Sequence, residues 1–157
     1  MPYLIDGNNL LAALELHVDA IGRQGLCQLA VRYARGHRVC VVFDGPTPVQ
    51  HALATQIAAG AEVIFAAPAS ADDIIIRLIE SDSAPHRLRV VSSDHVIRKA
   101  AALRKCPTAK SEEFALALVA FRDAPHGPPQ EPAQKKEGLS ADETREWLKV
   151  FDIEEDA

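Results

Sequence analysis

The chain has 157 residues, 48% of them hydrophobic, which suits one domain with an appendage and a sizeable core. Its apolar runs are no longer than strands, and Met1-Pro2-Tyr3 enters the first of them without a basic and apolar leader, so no membrane span is expected and a cytoplasmic location follows by default. The formal charge of -5 does not exclude a nucleic-acid partner: residues 1–130 carry 13 basic and 13 acidic side chains, while residues 131–157 carry 4 and 9.

Taken in chain order, Tyr3-Leu4-Ile5-Asp6 reads as a first strand over 3–6, followed by helices within 8–35 that break near Gly22 and Gly25. A strand over 38–44, a helix over 48–59 and a strand over 61–66 come next. A helix over 70–82, a strand over 87–92, a helix over 94–105, a short strand over 107–110 and a helix over 111–121 complete the pattern. Strands alternating with helices imply a parallel sheet covered on both faces, a three-layer α/β/α fold. Right-handed crossovers then give the strand order 3-2-1-4-5.

After Phe121 the composition changes. Residues 122–138 hold Pro125, Pro128, Pro129 and Pro132 and read as a linker between a domain over 1–121 and a C-terminal acidic helix and tail over 139–157. In that last segment Ser140 and Glu143 form a capping box, and Trp147, Leu148 and Phe151 share a side. That apolar side either docks back on the domain or binds a groove on a partner.

Three strands end on aspartate: Asp6, Asp44 in Val42-Phe43-Asp44-Gly45, and Asp94 in Val91-Ser92-Ser93-Asp94. A fourth acidic site, Asp72-Asp73, opens a helix. In an open α/β sheet ligands bind beyond the carboxyl ends of the strands, at the point where the strand order reverses, here between the strands ending at Asp6 and Asp94. Carboxylates gathered without matching cations repel, and a divalent cation with a preference for oxygen relieves that repulsion. The set is therefore read as a Mg²⁺ or Mn²⁺ site of Asp6, Asp44, Asp72, Asp73 and Asp94. Asp6, Asp72 and Asp94 are the expected catalytic members.

Several of these residues have a second reading. Acids in a helix's first turn are favoured by its dipole, so either Asp72 or Asp73 is the ligand, with Asp72 preferred. Asp44 before Gly45-Pro46 is also good turn chemistry. Asn8 and Asn9 either cap the next helix or offer amide groups to substrate. Ser92 and Ser93 are expected to hold the carboxylates or a phosphate oxygen. Seven basic residues against the single acid Asp94 lie between Arg87 and Lys110, among them Arg98 and Lys99, and suit a phosphate backbone brought to the metal.

Other chemistries find no support. Cys27, Cys40 and Cys106 are odd in number and lack CxxC spacing, which disfavours a disulfide framework or zinc site. The histidines show no ligand spacing and no triad, and neither GxGxxG nor GxxxxGK[ST] occurs.

Together, Leu4-Ile5-Asp6-Gly7-Asn8-Asn9, Val41-Val42-Phe43-Asp44-Gly45, Ala71-Asp72-Asp73, Val90-Val91-Ser92-Ser93-Asp94 and Ser111-Glu112-Glu113-Phe114 resemble the YacP-like subgroup of the NYN branch of PIN-like nucleases. The resemblance covers about residues 3 to 121. It implies a PIN-like, Rossmannoid domain and metal-dependent endoribonuclease activity, with Asp6, Asn8, Asp72 or Asp73, and Asp94 in the acidic site. RNA is then the expected substrate; the Trp147 helix lies outside the resemblance, and where it binds a partner and not the domain, the ribosome or another RNA-processing protein is the candidate. The main alternative is a non-catalytic RNA-binding or adaptor module of the same fold. A phosphoryl-accepting Asp44 is a third reading.

Overall fold

The structure is a computed structural model that describes residues 2–49 and 57–124. The greater part of the expected 48–59 helix, the linker beyond Ala124 and the Trp147 helix lie outside the described residues.

Five short strands form the sheet: β1 (Tyr3–Asp6), β2 (Val39–Phe43), β3 (Glu62–Phe65), β4 (Arg89–Val91) and β5 (Thr108–Ala109). All neighbours pair in parallel, and the order β3-β2-β1-β4-β5 agrees with that expected from right-handed crossovers. Side chains on a strand alternate between faces, and the two layers of helix take one set each. Tyr3, Ile5, Val41 and Phe43 pack beneath α1 (Gly7–Glu15), α2 (Gly22–Ala34) and α5 (Ser111–Asp123). Leu4, Val42 and Val90 pack beneath α3 (Ala71–Ser81) and α4 (His95–Leu103). Burial of such Val, Leu, Ile and Phe side chains contributes about 1.5–3 kcal/mol each. No described helix is long and apolar enough to cross a membrane.

Three glycines bear on the element boundaries. The helical stretch does break before Gly22, which at φ +67° opens α2 after α1 has ended at Glu15, while Gly25 lies inside α2 and breaks nothing. At Gly7 a side-chain carbon would stand 2.6 Å from the Phe43 ring. Glycine therefore lets the chain turn from β1 into α1 directly against β2.

Candidate active site

The carboxyl ends of the five strands form one rim. Asp6 is the last residue of β1 and is 5% exposed. Its Oδ2 accepts a 3.0 Å hydrogen bond from the hydroxyl of Ser92, which is fully buried just beyond β4. The same hydroxyl oxygen accepts from the Asp94 amide at 3.0 Å. One serine thus couples the two central strand-end acids. Its burial makes it a positioning group for those acids and withdraws it from direct contact with substrate.

Asp94 is the N-cap of α4: its Oδ1 accepts from the amides of Val96 at 2.9 Å and Ile97 at 3.1 Å. Its Oδ2 has no hydrogen-bond partner among the described residues. Asp44 follows β2 and accepts from the Ala71 amide at 2.9 Å, which ties the start of α3 to the rim. Ser70 caps α3 by accepting from the Asp73 amide at 3.1 Å. Both Asp72 and Asp73 are exposed.

Burial pushes Asp6 up to about 6; the Ser92 hydroxyl and the Asn9 amide oppose the rise, and the negative charges of Asp72 and Asp44 add to it. Asp72 is also raised, first by desolvation and then by Asp94, Asp44 and Asp73. Among the described residues the charges named as acting on either acid are all carboxylates. Asp6, Asp44, Asp72 and Asp94 therefore share one electrostatic neighbourhood, with Asp72 the member of its pair that acts on Asp6. Among the described residues no three His, Cys, Asp or Glu side chains converge into a ready coordination set. The reason is visible in their partners: Asp44 and Asp94 each turn an oxygen to helix amides, and Asp6 turns one to Ser92.

The asparagines tie segments together. Asn8 Oδ1 accepts from the Asp44 amide at 2.7 Å, and Asn9 Oδ1 accepts from the Ser93 amide at 2.9 Å and the Ser111 hydroxyl at 2.5 Å. With the carbonyl oxygens so used, the exposed Asn8 presents its NH₂ donors to anything that approaches the rim.

Glu112, quoted in sequence only as part of a family likeness, joins the site through Ser93. The Ser93 hydroxyl donates to Glu112 Oε1 at 2.6 Å and accepts from the Ser111 amide at 2.8 Å. That bond, the Glu112 backbone amide and the cations Lys110 and Arg98 hold Glu112 below its ordinary pKa. The signal for it was positional, because α5 begins at the rim directly after β5.

The seven basic residues do not form one patch. Arg98 donates to the Ser92 carbonyl at 3.4 Å and, with Lys110, acts on Glu112 at the rim. Lys99 is exposed on α4. Arg87 and Arg89 stand at the opposite, amino-terminal end of β4, and Arg89 donates to the Tyr3 hydroxyl. Arg104 donates to the carbonyls of Ile79, Glu80 and Asp82 at the end of α3. Lys105 lies beside it, beyond the end of α4. Thiol chemistry is disfavoured as well, since burial pushes Cys27 and Cys40 up to about 12.

The YacP-like NYN domain family profile matches residues 3–152, so the likeness runs past Phe121 through the proline-rich stretch and Trp147. A crystal structure of Rae1 (YacP) from Bacillus subtilis superposes with a TM-score of 0.59 at 21% identity, covering 100% of this chain and 95% of that one. A tryptophan-to-leucine mutant of the same protein gives 0.56 at 23% identity, covering 78% of this chain and 76% of that one. At these identities the likeness establishes the shared fold. No curated protein sequence matches this chain.

Proposed function

This chain belongs to the YacP-like NYN domain family, a branch of the PIN-like nucleases, and on that premise we propose that it is a divalent-metal-dependent endoribonuclease working at the Asp6, Asp72 and Asp94 rim. The observation that carries the reading is Asp6. It is a buried carboxylate held by the Ser92 hydroxyl and the Asn9 amide, pushed up to about 6, with the like charges of Asp72 and Asp44 acting on it among the described residues. A carboxylate so placed fits a hard cation with oxygen ligands, because the cation removes both the desolvation penalty and the repulsion.

Asp6, Asp72 and Asp94 would hold that cation, Mg²⁺ or Mn²⁺, with Asp44 and Glu112 at the margin of the set and Asp73 as the helix-opening neighbour. When bound, it would lower the pKa of a water and neutralise charge at the phosphate, chemistry for which the sequence shows no triad spacing and the buried Cys27 and Cys40 no reactive thiol. The chain's own residues place the parts. Ser92 fixes Asp94 relative to Asp6. Asp44 fixes the start of α3, and with it Asp72. Asn8 offers amide donors to a phosphate oxygen, and Arg98, Lys99 and Lys110 attract the RNA backbone from one side.

End-labelled RNA incubated with Mn²⁺ or Mg²⁺ tests the reading. Attack by water with the 3′ oxygen leaving gives internal cuts with 5′-phosphate ends. Asp72→Asn and Asp94→Asn are expected to slow cutting by on the order of 100-fold or more while RNA is still bound. Ends bearing 2′,3′-cyclic phosphate, or undiminished cutting by Asp94→Asn, would contradict it. RNA binding without cutting in either metal would favour the adaptor module.

A further inference from the structure

Arg23 lies on the same rim as the acids but outside their neighbourhood. Its guanidinium stands 5.7 Å from the ring centroids of both Phe43 and Phe65, the terminal residues of β2 and β3. Those two rings stack on each other at 5.9 Å with a 26° interplanar angle. Phe43 is fully buried and is also the ring against which Gly7 packs, so the platform beneath Arg23 is fixed by the core. A guanidinium resting on aromatic faces keeps its edge donors directed away from the rings, and its planar fork matches a phosphate.

Several other described arginines are already engaged by hydrogen bonds or ion pairs. Arg38 pairs with Glu62 and Arg122 with Asp123, Arg104 binds carbonyls at the end of α3, and Arg89 donates to Tyr3. Arg23 is exposed, and no carboxylate pairs with it among the described residues.

The strand order turns this into a direction. Arg23 marks the β2/β3 side, Asp44, Asp6 and Asp94 occupy the middle, and Arg98 with Lys110 marks the β4/β5 side. Five strands spaced at about 4.8 Å make a rim about 19 Å wide, room for several nucleotides. A polyanion laid across such a rim meets Arg23 at one end, Arg98 and Lys110 beside Glu112 at the other, and the strand-end carboxylates between them, where a cation is to bind. We propose that single-stranded RNA crosses the rim from the β2/β3 side to the β4/β5 side, with Arg23 binding a backbone phosphate that flanks the scissile one. The proposal rests on the RNA-cleaving reading and adds to it a residue and a direction.

Cleavage and binding of a short single-stranded RNA by the full chain, measured side by side, test it. The proteins are wild type, Arg23→Gln, Arg23→Lys and, as a control from the opposite end of the sheet, Arg87→Gln. Binding is read by fluorescence anisotropy in EDTA over a salt series. Arg23→Gln is expected to raise KM about tenfold, the loss of one charge-assisted contact, with a far smaller change in kcat. Its binding should weaken in proportion, and the slope of log affinity against log salt should fall by about 0.7, one phosphate contact on a single strand. Arg23→Lys should keep the slope and lose part of the affinity, because an ammonium lacks the planar fork. Arg87→Gln should match wild type.

If Arg23→Gln keeps KM, affinity and salt slope within twofold of wild type, the proposal is overturned. If wild type cuts no RNA, the cleavage reading fails, and the binding arm still decides Arg23: a shallower slope in Arg23→Gln retains the phosphate contact, and an unchanged slope removes it.

Discussion

Asp6 carries a charge that its surroundings oppose. Burial and its acidic neighbours raise it from 3.8 to about 6, so the folded chain binds the Asp6 proton more tightly than the unfolded chain does. The associated stability is fully present below pH 3.8 and is lost as pH rises through 6. Above that, an ionised Asp6 costs on the order of 3 kcal/mol. Thermal unfolding in EDTA should therefore find Asp6→Asn more stable than wild type at pH 7.5, with the gap closing at pH 4. A variant less stable than wild type at both pH values would show that the Ser92 hydrogen bond outweighs the charge. That Asp6 and Asp94 stand at strand ends beside the reversal of strand order was legible in sequence, whereas the capping of α4 by Asp94 was not. Nor were the partners of Asn8, Asn9, Ser92 and Glu112. The Ser111 to Asn9 bond spans 102 positions, and only the tertiary fold brings such residues together.

At the scale of elements, α3 carries Asp72 and is tied at both ends. Ser70 and Asp44 hold its first turn, and Arg104 from the end of α4 binds three carbonyls at its last. Orphan carbonyls at a helix end need such donors, and a cation there also meets the negative end of the helix dipole. Arg104→Met should lower stability by about 1–3 kcal/mol in urea unfolding while the folded protein keeps its RNA cleavage rate. A variant of wild-type stability would show that Arg104 leaves those carbonyls to water. The start of α3 was legible because Ser70 is a good capping residue. The basic run between Arg87 and Lys110 misled because the chain crosses the sheet repeatedly there. It begins at the amino-terminal edge with Arg87, reaches the rim at Arg98, returns with Arg104 and Lys105, and comes back to the rim at Lys110.

For the whole molecule, topology does what no local motif does. The order β3-β2-β1-β4-β5 brings acids from positions 6, 44, 72 and 94 to one rim, and it was legible because right-handed crossovers leave few alternatives. The place of Arg23 on that rim was not legible, since it reaches it only by resting on rings that end β2 and β3. The central claim is that the carboxylates of this rim cut RNA with the help of a divalent cation. Its most direct test is cleavage of a labelled single-stranded RNA in Mn²⁺ by wild type and Asp6→Asn, each with an EDTA control. The account predicts internal cutting by wild type that EDTA abolishes and that Asp6→Asn lacks while still binding the RNA. Equal cutting by both proteins, or cutting that persists in EDTA, would contradict it.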